Sequence, residues 1–156
     1  GVQMSDEYRL ISIPDTRFYH CNIKTLNLIP NVMAAQQASE AGCNETVFVR
    51  DGFVTECSHS NISMVKDGVF ITHPLDNLIL PGTERKHIIR WCGELGIPVK
   101  ERAFTLEELY TADEILVTST SHPSMRAMEL NQKAVGMKNP ELIQKLRDKY
   151  LNEIGK

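Results

Sequence analysis

Nothing in this sequence offers a surface for a polyanion or a span for a bilayer. Both signs of charge are scattered through 156 residues, with a net of -3 and a pI near 6.0, so no basic stripe tracks a nucleic-acid backbone or holds an anionic membrane. No apolar run approaches the roughly 20 residues of a membrane helix, and Gly1-Val2-Gln3-Met4 lacks the apolar core of a secretory signal. The expectation is a cytoplasmic protein with neither nucleic-acid nor membrane partners.

Metal and disulfide signatures are missing too. Cys21, Cys43, Cys57 and Cys92 are widely spaced, with no C-x-x-C pair and no histidine at ligand spacing beside them. A chain with 42% hydrophobic residues can bury an ordinary core without bridges, so all four are read as reduced. No H-E-x-x-H is present, and His73, His87 and His122 are isolated and read as surface or loop. A hydrolase reading finds no G-x-S-x-G elbow, and in Ser58-His59-Ser60 adjacent side chains of an extended segment point to opposite faces. Without internal repeats or a low-complexity linker, one domain covering 1–156 is the natural count. Position 1 is not Met and a strand starts almost at once at Tyr8, which suggests a piece of something longer.

What is present reads as alternating strands and helices. Tyr8 to Ile13 is a strand stopped by Pro14-Asp15, and Arg17 to Ile23 is a second extended segment. From Leu28 to Ala41 small and apolar residues recur at helical spacing, with Val32, Ala35, Ala38 and Ala41 on or near one face and Gly42 as the stop. Asp51-Gly52 joins Glu45–Arg50 to Phe53–Thr55, and Asp67-Gly68 joins Ile62–Lys66 to Val69–Thr72, two tight hairpins. Pro81-Gly82 breaks an apolar run and opens a helix that reaches Leu95 and ends at Gly96. Ile97 to Glu101 reads as an edge strand, Thr105 to Glu108 as a short capped helix, and Glu114 to Thr118 as a buried strand. A last hairpin spans Ser124–Leu130 and Ala134-Val135, and Pro140 opens a terminal helix to about Ile154. Hairpins mixed with helical crossovers give an α+β fold on a mixed, mainly antiparallel sheet or pseudo-barrel with packed helices.

Three kinds of group stand out against this frame. Lys24 lies between Ile23 and Leu26; an amine desolvated there is available as a Schiff-base nucleophile, though most lysines are solvated charges lying over apolar neighbours. Glu56 opens the polar stretch Glu56-Cys57-Ser58-His59-Ser60-Asn61 between two apolar strands. Gly82-Thr83-Glu84 at a helix start and Ser119-Thr120 at a strand end are candidate phosphate cradles, although many such turns bind nothing. Pyridoxal 5'-phosphate requires this set: an amine for its aldehyde, an anion for its pyridine nitrogen, and donors for its phosphate.

The runs C-N-I-K-T-L-N-L, V-T-E-C-S-H-S-N, D-N-L-I-L-P-G and L-V-T-S-T, in this order and spacing, resemble the fold-type IV (class IV) pyridoxal-phosphate-dependent aminotransferases, with the nearest likeness to the D-amino acid (D-alanine) branch. The resemblance implies that Lys24 anchors the cofactor and shuttles the Cα proton, and that Glu56 pairs with the pyridinium nitrogen. By the same resemblance Thr83, Glu84, Ser119 and Thr120 hold the phosphate. Ser60 and Asn61, with Ser58 and His59, line the cofactor or brace the loop, two readings of equal standing. It further implies transamination between a D-amino acid and a 2-oxo acid in a homodimer, with this chain as the cofactor-binding C-terminal domain.

The smaller N-terminal domain of that family, which supplies a phosphate-binding arginine and the grip on the substrate carboxylate, is not in this sequence. Arg17, Arg50 and Arg85 are not assigned that role; Arg85 reads as a helix residue that orients the phosphate turn. Glu84 stands where many relatives have Thr, so its side chain is expected to point away from a phosphate and only its N–H to contribute. Branched-chain aminotransferase and aminodeoxychorismate lyase activities remain open on the same scaffold. A domain that is non-catalytic, or that binds a phosphorylated metabolite, would keep the turns without needing Lys24.

Overall fold

Asp51 and Gly52 have φ of 53° and 82°, and Asp67 and Gly68 have φ of 52° and 75°, the paired positive values that let a two-residue turn follow the twist of its strands. The computed structural model describes residues 3–17, 29–76, 78–79 and 82–155. The first turn joins β2 (Glu45–Arg50) to β3 (Phe53–Cys57), and the second joins β4 (Asn61–Lys66) to β5 (Val69–Thr72). Lys24 and residues 18–23 of the expected second extended segment lie outside the described residues.

The helix ends follow the sequence closely. In α1 (Ile29–Glu40) the N–H of Cys43 donates to Ala38 O at 2.8 Å and that of Gly42 to Ser39 O at 3.0 Å, with Gly42 at φ 72°; this is a Schellman closure. In α2 (Thr83–Leu95) Gly96 plays the same part at φ 73°. The short α3 (Leu106–Thr111) starts in a complete capping box between Thr105 and Glu108, and α4 (Pro140–Glu153) is capped by Asn139 with Pro140 in its first turn.

The strands form one mixed sheet in the order β6-β5-β4-β8-β9-β1-β2-β3-β7, with β10 (Lys133–Ala134) paired to β9. Here β1 is Met4–Pro14, β6 Val99–Glu101, β7 Phe104–Thr105, β8 Glu114–Thr118 and β9 Ser124–Leu130. β1 pairs in parallel with both β2 and β9, and β5 with β6; the other pairs are antiparallel. The outermost strands β6 and β7 are separated in the chain only by residues 102 and 103, a bridge of roughly 10 Å at full extension. The sheet must therefore curl until its edges approach, which makes it a half-barrel.

Strands β4, β5 and β8 divide their side chains between two cores. Ile115 and Val117 of β8, with Val47, Val54, Cys57, Ile62, Met64 and Phe104, fill the inside of the curl. Leu116, with Val65 and Phe70, faces out under α2 and α4, where Ile88, Trp91, Ile143 and Tyr150 cover it. Strands covered on both faces read as nearly continuous apolar runs.

Two sequence expectations need correction. β1 begins at Met4 rather than Tyr8, because pairing with β9 extends it to Ser124. The buried face of α1 is Ala34 and Ala38, while Val32 is 59% exposed and Ala41 also faces out; the small side chain of Ala34 lets Thr46 Oγ1 of β2 reach the Ala34 carbonyl at 2.6 Å. Of the histidines read as surface or loop, His73 lies in the loop after β5 and is buried there, its ring nitrogen Nδ1 2.8 Å from Pro74 O, and His87 is half-buried on α2, stacked on Trp91 at 5.5 Å.

Candidate active site

Glu56 owes its position to an irregularity in β3. Val47 faces Cys57 across the ladder and Val49 faces Val54, so a two-residue step in β2 is matched by a three-residue step in β3. The extra residue makes a β-bulge. Val54 and Cys57 both remain in the inner core, and the two residues between them, Thr55 and Glu56, both turn to the opposite face.

On that face they meet Arg17, which folds back from the end of β1 across the ring of Phe48, its guanidinium carbon 4.4 Å from the ring centre. Arg17 Nη1 donates to Glu56 Oε1 at 2.5 Å. Its Nε and Nη2 donate to the two oxygens of Asp15 at 2.9 Å each, and Nη2 also reaches Leu78 O at 3.1 Å. Arg50 Nη2 donates to Asp15 Oδ1 at 3.0 Å, and Thr55 Oγ1 to Asp15 Oδ2 at 2.8 Å. Burial alone would push the Asp15 carboxyl up, yet the Arg17 guanidinium and Thr55 hydroxyl outweigh it and hold it below the usual carboxylate range. Burial likewise opposes the charge on Arg17, and Asp15 and Glu56 reverse that, so its pKa is raised. Glu56 of β3 thus forms a covered charge network with Asp15 and Arg17, which follow β1.

The other oxygen of Glu56 leads to the candidate phosphate turn. Asn61 Nδ2 donates to Glu56 Oε2 at 3.1 Å, and Asn61 Oδ1 lies where a Cβ on Gly82 would go. Gly82 caps α2 with an extended backbone, so the free N–H groups of the first turn, at Thr83 and Glu84, open beside it. Asn61 is also paired with Thr118 at the end of β8, and Ser119-Thr120 follow directly. Glu56, Asn61, Gly82-Thr83 and Ser119-Thr120 therefore gather around the first residue of β4.

Ser60, Ser119 and Glu84 of the expected set differ in what surrounds them. Ser60 Oγ donates to Glu45 Oε2 at 3.2 Å, and the Ser58 hydroxyl to Glu45 Oε1. Glu45 also accepts the N–H groups of Thr46, Ser58 and His59 at 2.8, 3.1 and 3.3 Å. A buried acid inside the curl thus braces the 57–60 turn through Ser58 and Ser60. Ser119 is tied into its own turn, with N–H and carbonyl exchanged with His122. Glu84 is buried and its Oε2 has no hydrogen-bond partner among the described residues. Burial raises its carboxyl pKa, a nearby His87 pulling the other way. Arg85 bonds His73 O at 2.9 Å and Glu101 Oε1 at 2.7 Å, pinning α2 to β5 and β6.

Sequence reasoning gave no role to Asp15, Arg17 or Glu45. The dipeptide Pro14-Asp15 signalled only a turn, and nothing local marks a guanidinium whose partner lies in another strand. Among the described residues no group of His, Cys, Asp and Glu could hold a metal ion, and no helix is long and apolar enough to cross a membrane.

Comparison with known proteins adds three findings. The family profile of amino-transferase class IV matches residues 5–130. A D-alanine aminotransferase of Bacillus licheniformis is 37% identical over 151 residues, which cover 94% of this chain and 53% of that protein; the chain spans about half the length of the curated relatives it matches. A protein from Legionella pneumophila assigned as a 4-amino-4-deoxychorismate lyase superposes with a TM-score of 0.88 at 25% identity, over 98% of this chain and 57% of the other. A branched-chain aminotransferase from Thermoproteus uzoniensis does so at 0.75 and 28%, over 94% and 55%.

Proposed function

Because this chain belongs to the class IV aminotransferase family, we propose that it carries the cofactor-binding part of an enzyme that moves an amino group between a D-amino acid and a 2-oxo acid. The family uses pyridoxal 5'-phosphate, which when bound supplies an electron sink conjugated to the substrate Cα. The residues present suit that group. A glycine-led turn opens backbone donors at a helix start, two hydroxyl residues follow β8, and a covered carboxylate lies between them at Asn61.

In this reading Glu56 is the anion facing the pyridine nitrogen. Arg17 and Asn61 each donate to one of its oxygens, which holds the carboxylate in place. Thr83 and Glu84 offer N–H groups and Ser119 and Thr120 hydroxyls to the phosphate. Lys24 would be the covalent anchor and, as a free amine, the base for the Cα proton. The D-amino acid donor is favoured by the curated relatives. The same cofactor residues would serve a branched-chain aminotransferase or an aminodeoxychorismate lyase, the activities named for the solved relatives. A second subunit or a further domain is proposed to cover the exposed Ile29, Val32 and Met33 of α1.

The observation that carries the reading is the hydrogen-bonded run from Arg17 through Glu56 to Asn61, whose side-chain oxygen abuts Gly82. Its test is a titration of the apoprotein with pyridoxal phosphate followed by a donor screen. A visible absorbance band that Lys24→Ala abolishes, with D-amino acids preferred over L, is the expected result. A band unaffected by Lys24→Ala overturns the anchor, and preference for L-valine or aminodeoxychorismate overturns the substrate class.

A further inference from the structure

Gly82 has φ -71° and ψ 146°, values open to any L-residue, so its backbone does not demand glycine. What excludes a side chain is Asn61, whose Oδ1 stands where the Cβ would be. An exposed amide would swing away from an added methyl at little cost, since its last torsion is soft. Asn61 is not free to do so: Nδ2 donates to Glu56 Oε2, and Glu56 is fixed at its other oxygen by Arg17. The orientation of the amide is also determined, because a carboxylate only accepts, so the NH2 must face Glu56 and the oxygen must face Gly82.

We propose that Asn61 is a positioning residue that couples the Glu56 carboxylate to the phosphate turn at Gly82-Thr83, so that one side chain keeps the two ends of the cofactor site in register. The proposal rests on the pyridoxal phosphate reading for its purpose, but the coupling itself is a property of this chain. A methyl at position 82 displaces Asn61, and the displacement reaches Glu56 as a lost hydrogen bond. With Asn61 shortened to alanine the same methyl meets no other side chain among the described residues.

The test uses the full-length enzyme with Gly82→Ala, Asn61→Ala and the double variant. Three quantities are measured: the dissociation constant for pyridoxal phosphate, the pH dependence of the bound cofactor's absorbance, and the urea midpoint. Coupling of neighbours of this kind typically spans about three- to a hundredfold, and we expect Gly82→Ala alone to weaken cofactor binding about tenfold. In the Asn61→Ala background the same change should cost less than about twofold. Gly82→Ala and Asn61→Ala should both displace the absorbance titration in the same direction, which a change confined to backbone stability would not do. Equal losses from Gly82→Ala in both backgrounds, or an unmoved titration, overturn the proposal. If Gly82→Ala yields no folded protein, recovery of folded protein on adding Asn61→Ala supports the coupling and failure to recover overturns it. A wild-type enzyme that binds no pyridoxal phosphate refutes the cofactor reading instead, and non-additive urea midpoints would still report the coupling.

Discussion

Arg17 and Glu56 lie 39 positions apart in the chain and meet at 2.5 Å, both nearly covered, with side-chain exposures of 6% and 9%. Removing one partner of such a pair leaves a charge that has lost both its water and its counterion. Arg17→Met is expected to lower unfolding free energy by about 3–5 kcal/mol, read from urea denaturation. Adding Glu56→Gln should restore part of that loss, since the stranded charge goes with it. A full, uncorrected loss in the double variant would show that Arg17 matters through Asp15 alone.

Acid sensitivity should trace to Asp15. Its native carboxyl lies below the ordinary value because Arg17 and Thr55 outweigh the burial that pushes it up. A depressed native pKa means that the unfolded chain binds the proton first. The stabilisation is therefore complete above the unfolded value, about 3.9, and is lost as pH falls through the native one. Urea midpoints between pH 2.5 and 6 should fall more steeply in wild type than in Asp15→Asn. The variant itself should be less stable at neutral pH.

Glu84 has the opposite sign. Burial raises its native pKa, so its contribution is fullest below the unfolded value of about 4.3 and declines as pH rises through the native one. Glu84→Gln should raise the melting temperature more at pH 8 than at pH 5. Glu84→Thr should leave pyridoxal phosphate affinity unchanged or better, because an acid beside a dianion can only repel it. A large loss of affinity on Glu84→Thr would count against the phosphate turn.

Thiol chemistry should be confined by burial. Burial pushes Cys57 well above the usual thiol range, with Glu45 and Glu56 adding to it, and pushes Cys92 up to about 12. Neither is a thiolate at neutral pH, and neither is reachable. Maleimide labelling with peptide mapping should find both modified only on the timescale of unfolding, whereas the partly exposed Cys43 should react in the folded protein. Rapid native labelling of Cys57 would mean that the 57–60 turn opens readily.

What could be read from the sequence was what neighbouring residues decide among themselves. Asp51-Gly52, Asp67-Gly68, Gly42, Gly96 and the Thr105–Glu108 box each satisfy a local geometric need, and the structure has each where expected. The buried side of α1 was not legible, because Ala34 rather than Val32 faces β2 for reasons of helix approach that hydrophobicity does not encode. Glu56 was legible as a polar residue between apolar strands, but the bulge that turns it toward Arg17 depends on the register of two strands. Asp15 looked like part of a turn and Arg17 like the start of an extended segment, because their partners arrive from β2, β3 and the segment before α2.

β1 has β2 on one side and β9 on the other, and Leu10 is in register with Leu130. On the ribosome, then, β1 emerges before β9 and waits with an open flank for a neighbour translated only after β2 to β8. Local hairpins can form in the meantime, but loop closure on this scale is slow and leaves hydrogen-bonding edges available to other chains. Synthesis rate and chaperone supply, more than any single contact, should govern how much of this protein a cell recovers in folded form.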